Sequence, residues 1–211
     1  MADLLRRRAR HSLACAGALT VLVATAASAA AQPRSHPAPA AAPDRVDLAR
    51  YAGSWYQLAS VPQLFELQCA KNVKALYTPT ADGRVAVRNS CRTWLNTTSS
   101  IDGEALALDA TGTRLNVSFL KTGGSYQHTR QANYVIVGLG DAYDWAVVSN
   151  DSRTAGFVLS RTPSLTPAAW QHVHQAIRAA HLDPRAFRTT RQDGGPQHTG
   201  ALRAATPVAA P

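Results

Sequence analysis

Residues 51–62 read YAGSWYQLASVP, and this stretch decides how the rest of the chain is interpreted. From Trp55 to Val61 the side chains suit an extended, half-buried strand, and Pro62 ends it. A tryptophan at the start of a strand needs a wide space to fill, and Gly53 beside it lets another group approach the backbone closely. The stretch therefore predicts a first strand whose tryptophan fills the interior of a sheet structure.

The segment 1–31 is predicted to be a secretory signal peptide. It opens with the basic MADLLRRRARH, continues with an apolar stretch over 12–26 that is short for a membrane span, and ends in ASAAAQ, which allows cleavage after Ala31 or Ala29. Cys15 lies near the start of the apolar stretch rather than after it, so no lipid anchor is predicted. An uncleaved membrane anchor is the alternative; otherwise the protein is secreted or periplasmic.

The remaining chain divides into a linker, one domain and a tail. QPRSHPAPAAAP at 32–43 is a Pro/Ala linker, and the polar, Gly/Pro-containing segment 192–211 is predicted to be a disordered tail. Residues 44–191 lie between them and are long enough to bury a sizeable core. A single domain over 44–191 is therefore expected.

The basic character of the chain comes mostly from its ends. The formal net charge is +9, but residues 44–187 hold 14 basic and 11 acidic side chains, a net charge of only +3. These basic residues are scattered and form no stripe interleaved with aromatic residues. The sequence thus predicts no nucleic-acid partner.

Two cysteines remain once the signal peptide is removed. Cys69 and Cys91 lie outside the cytoplasm in this interpretation and have no cysteine or histidine partners at metal-site spacing. One disulfide between them is the simplest expectation. A free, reactive thiol is the alternative.

Short alternating segments separated by turn residues run through the domain. The predicted strands are 55–61, 73–78, 85–90, 101–109, 114–120, 133–139, 145–150 and 156–160. An all-β sheet of eight antiparallel strands joined as sequential hairpins closes its edges by becoming an up-and-down barrel. One C-terminal helix is predicted after Thr166, with Pro167 in its first position, and it should pack on the barrel.

Catalytic and metal-binding patterns are not apparent. The chain has no Gly-x-Ser-x-Gly elbow, no His-Glu-x-x-His and no phosphate-binding glycine loop. His172 and His174 are two residues apart, which places them on different helix faces, and with His181 they are predicted to be solvated surface rather than metal ligands. No cofactor is expected, and the protein is not predicted to be an enzyme.

The motifs together resemble the lipocalins, and among them the bacterial lipocalins related to apolipoprotein D. Gly53-Ser54-Trp55-Tyr56 is similar to the first Gly-x-Trp motif of that family. NVKALYTPTADGRVAVRNSC, NYVIVGLGDAYDWAVV and GFVLSRTP follow in the family's order, so the resemblance spans 46–190. It implies that Arg161 lies over Trp55 and that Gly53, Trp55 and Arg161 form the floor of the barrel.

The resemblance implies a carrier or store for a small hydrophobic ligand of the fatty acid or lysophospholipid type, with at most transient membrane contact. Strand alternation gives the candidate ligand-binding residues, which face inward: Gln57, Ala59, Val73, Ala75, Tyr77, Val85, Val87, Asn89, Leu115, Val117 and Phe119. The same residues could instead simply fill a core. A lipocalin-fold enzyme or isomerase and a filled barrel that acts as an interaction module are the alternative functions.

Overall fold

Eleven strands form in the computed structural model, which describes residues 42–202. In chain order they are β1 (Gly53–Ser60), β2 (Cys69–Pro79), β3 (Val85–Thr93), β4 (Thr98–Ala107), β5 (Arg114–Ser118), β6 (Lys121–Thr122), β7 (Ser125–Tyr126), β8 (Tyr134–Leu139), β9 (Trp145–Ser149), β10 (Gly156–Ser160) and β11 (Arg188–Thr189). Antiparallel pairing runs from β1 to β5, from β5 to β8, and on to β10, which pairs back with β1. The predicted eight-stranded closed barrel is confirmed.

The two ends of the barrel differ. At the end where β1 begins, the short helix α1 (Leu48–Tyr51) lies across the opening, and the Val46 N–H donates to the Thr111 carbonyl at 2.8 Å. The Asp47 side chain caps α1 by accepting from the Ala49 N–H. At the other end the loops 61–68, 94–97, 119–133 and 150–155 surround the mouth. We call these the closed end and the open end.

Helix α2 (Pro167–Ala179) begins as the sequence predicts, because the Thr166 hydroxyl accepts from the Ala169 N–H and Pro167 occupies the first position. Its buried residues include Val173, Ala176 and Ile177, which join the outer faces of β8 and β9 in one cluster. His174 is buried as well, so the surface assignment is wrong for this histidine.

Two hydrophobic clusters lie on opposite sides of the barrel wall. The interior cluster includes Trp55, Ala75, Tyr77, Val85, Val87, Ala105, Leu115, Ile136, Ala146, Val148 and Leu159. The outer cluster joins the wall to α2 and to the C-terminal segment, and includes Leu58, Ala59, Val135, Val137, Val147, Val158, Ile177, Phe187 and Leu202. Alternate residues of β8, β9 and β10 therefore serve one cluster or the other.

A β-bulge in β1 changes which residues face inward. Gln57 pairs with Leu159 and Ala59 with Val158, so one extra residue, Leu58, is inserted between the two pairs. An inserted residue reverses the alternation beyond it. Ala59 consequently lies in the outer cluster, which corrects its assignment to the ligand-facing set.

The chain continues to pack on the barrel beyond residue 191. β11 pairs with the end of β1, and Arg188 forms a bridge with Ala201. Residues 192–202, expected from their composition to be tail, include the buried side chains of Gln192 and Leu202, and this expectation is therefore corrected. The signal peptide, the linker up to 41 and the tail from 203 lie outside the described residues and stay predictions.

Hydrogen bonds from the Gln192 side chain hold the segment 192–202 against the barrel. β1 and β2 pair only between Gly53 and Tyr56 on the β1 side, and beyond that point the strands separate. The Gln192 amide, 1% exposed, donates to the carbonyls of Gln57 at 2.8 Å and Val73 at 3.0 Å, one on each strand. Next to it, Asp193 forms an ion pair with Lys71 at 2.7 Å. The C-terminal segment thus fills a gap in the barrel wall.

Trp55 closes the floor of the barrel. It is fully buried, and its indole N–H donates to the Tyr51 carbonyl at 2.8 Å. The Arg161 guanidinium lies 3.8 Å from the ring centroid and donates to the carbonyls of Ser54, Arg50 and Tyr51. Gly53 has φ +97°, and a Cβ there would lie 3.2 Å from Arg161 Nη1, so glycine permits this approach.

The disulfide between Cys69 and Cys91 is present and joins the start of β2 to the end of β3 near the open end. It closes a loop with a sequence separation of 22 residues. In the chain-entropy model such a loop contributes about 3 kcal/mol to the free energy of unfolding.

We predict that Trp55→Ala lowers the free energy of unfolding by about 3–5 kcal/mol, because burial is lost and a cavity remains. Arg161→Ala should cost less. In a double-mutant cycle measured by urea denaturation, the two changes should couple by about 0.5–2 kcal/mol, the usual range for a cation on an indole face. Strict additivity would mean that the stacked contact contributes nothing.

We also predict that Gln192→Ala lowers the free energy of unfolding by about 1–3 kcal/mol, because two carbonyls of the wall lose their donor. Gln171→Ala, an exposed glutamine on α2, is the matched control and should change stability by less than about 0.5 kcal/mol. If both variants unfold at the wild-type denaturant concentration, the C-terminal segment does not seal the wall.

Candidate functional site

The inward-facing side chains of the barrel become more exposed towards the open end. On β3, Val87 is 3% exposed, whereas Ile101 on β4 and Phe119 just after β5 are 51% and 40% exposed. Ile101 shares the inward parity of the buried residues Gly103 and Ala105. The lower half of the barrel is therefore closed and the upper half is open to solvent.

The predicted ligand-binding residues divide along this gradient. Those in the closed lower part belong to the interior cluster and are buried: Ala75, Tyr77, Val85, Val87 and Leu115. Those nearer the open end are half-buried or exposed: Val73, Asn89, Val117 and Phe119. Gln57 is buried next to the mouth. The second group is the part of the predicted set that a ligand entering from solvent meets first.

The Phe119 ring covers Gly103 at the boundary between the two halves. A Cβ on Gly103 would lie 2.6 Å from Phe119 Cδ1 and 2.7 Å from the Ser118 carbonyl oxygen, distances that real Cβ atoms essentially never show. Gly103 therefore provides the space in which the ring lies. Sequence reasoning missed Gly103 and Ile101 as interior positions, although their alternation with Asp102 on a predicted strand contained the signal.

Three tyrosines meet in the lower half. The Tyr134 hydroxyl lies 2.8 Å from that of Tyr51 and 3.0 Å from that of Tyr77. Tyr51 also packs on Trp55 with ring centroids 4.8 Å apart, so this tyrosine cluster stands directly on the floor. Only Tyr77 was predicted, because the other two lie outside the hairpin alternation and come together only when the barrel closes.

Burial determines the protonation of this tyrosine cluster. It raises the pKa of Tyr77 to about 12, and it raises the pKa values of Tyr51 and Tyr134 well above their ordinary value. The physical cause is the cost of placing a phenolate where water is excluded. All three hydroxyls are therefore neutral donors and acceptors at physiological pH.

A small cavity adjoins the tyrosine cluster. It has a volume of about 20 Å³, enough for the centre of about one water molecule. It is lined by Leu48, Tyr51, Tyr77, Val85, Ala105, Leu115, Val117 and Tyr134. A hydrocarbon chain does not fit in this cavity.

Gln57 and Asn89, the two polar interior candidates, have different surroundings. The Gln57 amide donates to Glu66 Oε1 at 2.5 Å and to the Thr190 hydroxyl at 3.2 Å, and Ser60 donates to the other carboxylate oxygen of Glu66. The Asn89 side chain makes no hydrogen bond to residues 42–202 and is half-buried. Asn89 is thus the interior amide that is available to a ligand.

A wider depression of about 430 Å³ lies outside the barrel, beside α2. Its lining is His174, Arg178, Asp183, Pro184, Arg185, Ala201 and Leu202. Within residues 42–202 no group of histidine, cysteine and carboxylate side chains could hold a metal ion, and no helix is long and apolar enough to cross a membrane. Four of the seven residues that line the outer depression, His174, Arg178, Asp183 and Arg185, are polar or charged, whereas the interior cluster of the barrel is mainly apolar.

We predict that Tyr77 ionises near pH 12 in the folded protein, against an ordinary value of 10.0. Because its folded pKa is raised, its contribution to stability is complete below pH 10 and is lost as the pH rises towards 12. This ionisation is measured by following tyrosinate absorbance in an alkaline titration and subtracting the curve of Tyr77→Phe from that of the wild type. A difference curve centred near pH 10 would contradict the buried cluster.

Comparison with known proteins identifies the family. A family model described as a lipocalin-like domain matches residues 46–192. Temperature-induced lipocalin-1 of Arabidopsis thaliana is 26% identical over 160 residues, covering 74% of this chain and 85% of the relative. A putative lipocalin of Acanthamoeba polyphaga mimivirus is 26% identical over 131 residues, covering 61% and 74%.

Two solved structures, both below 20% identity, show the same fold. Insecticyanin from the tobacco hornworm Manduca sexta aligns with a TM-score of 0.56 at 18% identity, covering 77% of this chain and 93% of insecticyanin. The amine-binding protein of Rhodnius prolixus, in its tryptamine complex, aligns with a TM-score of 0.51 at 17% identity, covering 67% and 79%. With the family match across most of its length, the chain belongs to the lipocalin-like family.

Proposed function

We propose that the protein is a secreted lipocalin that carries or stores a small hydrophobic ligand, of the fatty acid or lysophospholipid type, in the upper half of its barrel. The observation that carries this proposal is the exposure gradient along the interior, from the buried Val87 to the half-exposed Ile101 and Phe119. An apolar lining that solvent can reach is what a binding pocket for such a ligand requires. The order of the sequence motifs supports placement among the bacterial lipocalins related to apolipoprotein D.

Burial of an alkyl chain can supply the affinity. About ten methylenes removed from water contribute roughly 8 kcal/mol at about 0.8 kcal/mol each, before the cost of immobilising the ligand, so a micromolar dissociation constant is the tightest that this burial alone supports. In the upper half, Val73, Val117 and Phe119 can contact the alkyl chain of the ligand, and the Asn89 amide can bind its polar group. The Rhodnius amine-binding protein, which holds tryptamine in the same fold, supports the use of this fold for a small organic ligand.

A filled barrel that acts as an interaction module is the second candidate, and the closed lower half favours it. The cavity of about 20 Å³ beside the tyrosines shows how little room that half contains. Enzyme or isomerase chemistry that depends on a thiol has less support, because the disulfide uses both Cys69 and Cys91. We therefore propose that the protein is a binding protein and not an enzyme.

The rim of the open end suggests how a lipid would reach the barrel. Seven of the nine large hydrophobic residues that are exposed in the described chain lie in three open-end loops: Leu64, Phe65, Leu67, Trp94, Leu95, Phe119 and Leu120. The Trp94 indole N–H donates to the Leu67 carbonyl at 2.8 Å, which joins two of these loops. Such a patch is typical of an interaction surface, and we propose transient contact with a bilayer.

For the carrier function we predict that a fluorescent fatty acid binds with a stoichiometry of about one and micromolar affinity, and that unlabelled lipid displaces it. Asn89→Trp should weaken binding by roughly tenfold or more, because the large ring occupies the open half. Fluorescence titration measures both.

Ala86→Trp is the matched control, since Ala86 lies on the same strand but is exposed on the outer face. It should bind with wild-type affinity. Equal losses in the two variants, or no saturable binding by the wild type, would count against the carrier and favour the filled-barrel module.

For the rim we predict that the double variant Leu64→Asp, Phe65→Asp binds phosphatidylcholine vesicles at least tenfold more weakly than wild type in co-sedimentation, because burial of each side chain contributes about 1.5–3 kcal/mol. Leu76→Asp, which changes an exposed leucine on β2 outside the rim, should sediment like the wild type. Equal sedimentation of all three proteins would refute the proposed membrane contact.

A further inference from the structure

The tyrosine cluster contains one more hydrogen-bond donor than its own contacts can use. Tyr51, Tyr77 and Tyr134 carry three O–H groups, and two hydrogen bonds join them through Tyr134. Each bond uses one donor, whichever way it points. The three hydroxyls make no other hydrogen bond within residues 42–202, so one O–H always remains without an acceptor there.

The tyrosine cluster that carries this spare donor adjoins the small cavity. All three tyrosines line the cavity of about 20 Å³, and so does Val117, which is half-buried and lies two residues before Phe119 on the same inward-facing side. A buried donor without an acceptor is costly, so an oxygen atom placed in this cavity would be stabilised. The volume suits a single group of about the size of a water molecule or a carbonyl oxygen.

The charges around the cavity determine which oxygen fits. The lining contains only apolar side chains and neutral tyrosines. Arg161, the cation nearest the floor, stacks on Trp55 and donates to backbone carbonyls. A carboxylate in the cavity would be buried with no cationic side chain among the lining residues, which is more costly than burial of a neutral carbonyl.

We propose that the tyrosine cluster is a subsite that selects hydrophobic ligands carrying a neutral oxygen acceptor, such as a ketone or ester carbonyl, which enters the barrel first. The inference rests on the proposed carrier function and refines its ligand class. The carbonyl oxygen accepts the spare O–H in the cavity, and the hydrocarbon part lies above it between Val117 and Phe119. A fatty acid, in contrast, binds with its tail downwards and its carboxylate at the mouth.

The test compares three ligands of equal chain length: a methyl ketone, the terminal alkene and the carboxylate. Each displaces a fluorescent lipid probe from the barrel, and the displacement curve gives its affinity. The wild type should bind the ketone about threefold to tenfold more tightly than the alkene, the gain expected from one added hydrogen bond. The carboxylate should show no comparable gain over the alkene.

The number of tyrosine O–H groups that remain in each variant determines the ketone preference that we expect. Tyr77→Phe leaves two hydroxyls and one bond, so one donor is still spare and the ketone preference should survive. The triple variant Tyr51→Phe, Tyr77→Phe, Tyr134→Phe keeps the rings but removes every donor, so within this variant the ketone should bind no more tightly than the alkene. Tyr56→Phe, on the outer side of the wall, is the control and should match the wild type.

Equal binding of ketone and alkene by the wild type would overturn the inference and would indicate that a trapped water satisfies the donor. A ketone preference that persists in the triple variant would also overturn it. If no ligand and no probe binds, the carrier function itself fails, and the subsite fails with it. Binding without discrimination refutes the subsite alone.

Discussion

The rest of the structure depends on the packing of Trp55 at one end of the barrel. Its ring is fully buried, its indole N–H donates to the Tyr51 carbonyl, and Arg161 lies over the ring. Arg161 in turn donates to carbonyls around α1 and at the start of β1, so one guanidinium holds together the segments that meet at this end. Because one end is sealed in this way, the open end is the route to the interior that residues 42–202 leave.

A closed floor and an open mouth give the interior its gradient. Tyr51 packs on Trp55 and positions the tyrosine cluster, which occupies the lower half and leaves room for about one small group. Above it, Gly103 and the Phe119 ring mark the point where side chains become accessible. Side chains thus fill the lower half of the barrel interior and leave the upper half accessible to solvent. In our proposal, the shape of the interior confines a ligand to the upper half, and the tyrosine hydroxyls below it select the ligand's polar group.

Local patterns in the sequence were sufficient to predict the barrel, but not to predict which way every side chain on it faces. Alternation and turn residues predicted the eight strands and α2, since these signals are contained in neighbouring residues. The bulge at Leu58 carries no such signal, and it moved Ala59 to the outer cluster. Gln192 lies in a polar, Gly/Pro-containing segment, and its role depends on a gap between β1 and β2 that only the closed barrel creates. Tyr51 and Tyr134 were missed for the same reason.

The central claim is that the upper half of the barrel, and not the outer cluster, holds the ligand. Methyl NMR of the protein titrated with a long-chain lipid tests it most directly, because valines lie on both sides of the wall. The methyl resonances of Val117 and Val73 should shift along one saturable curve, while those of Val137 and Val147 in the outer cluster should stay in place. Shifts confined to the outer cluster, or no saturable shift at all, would contradict it.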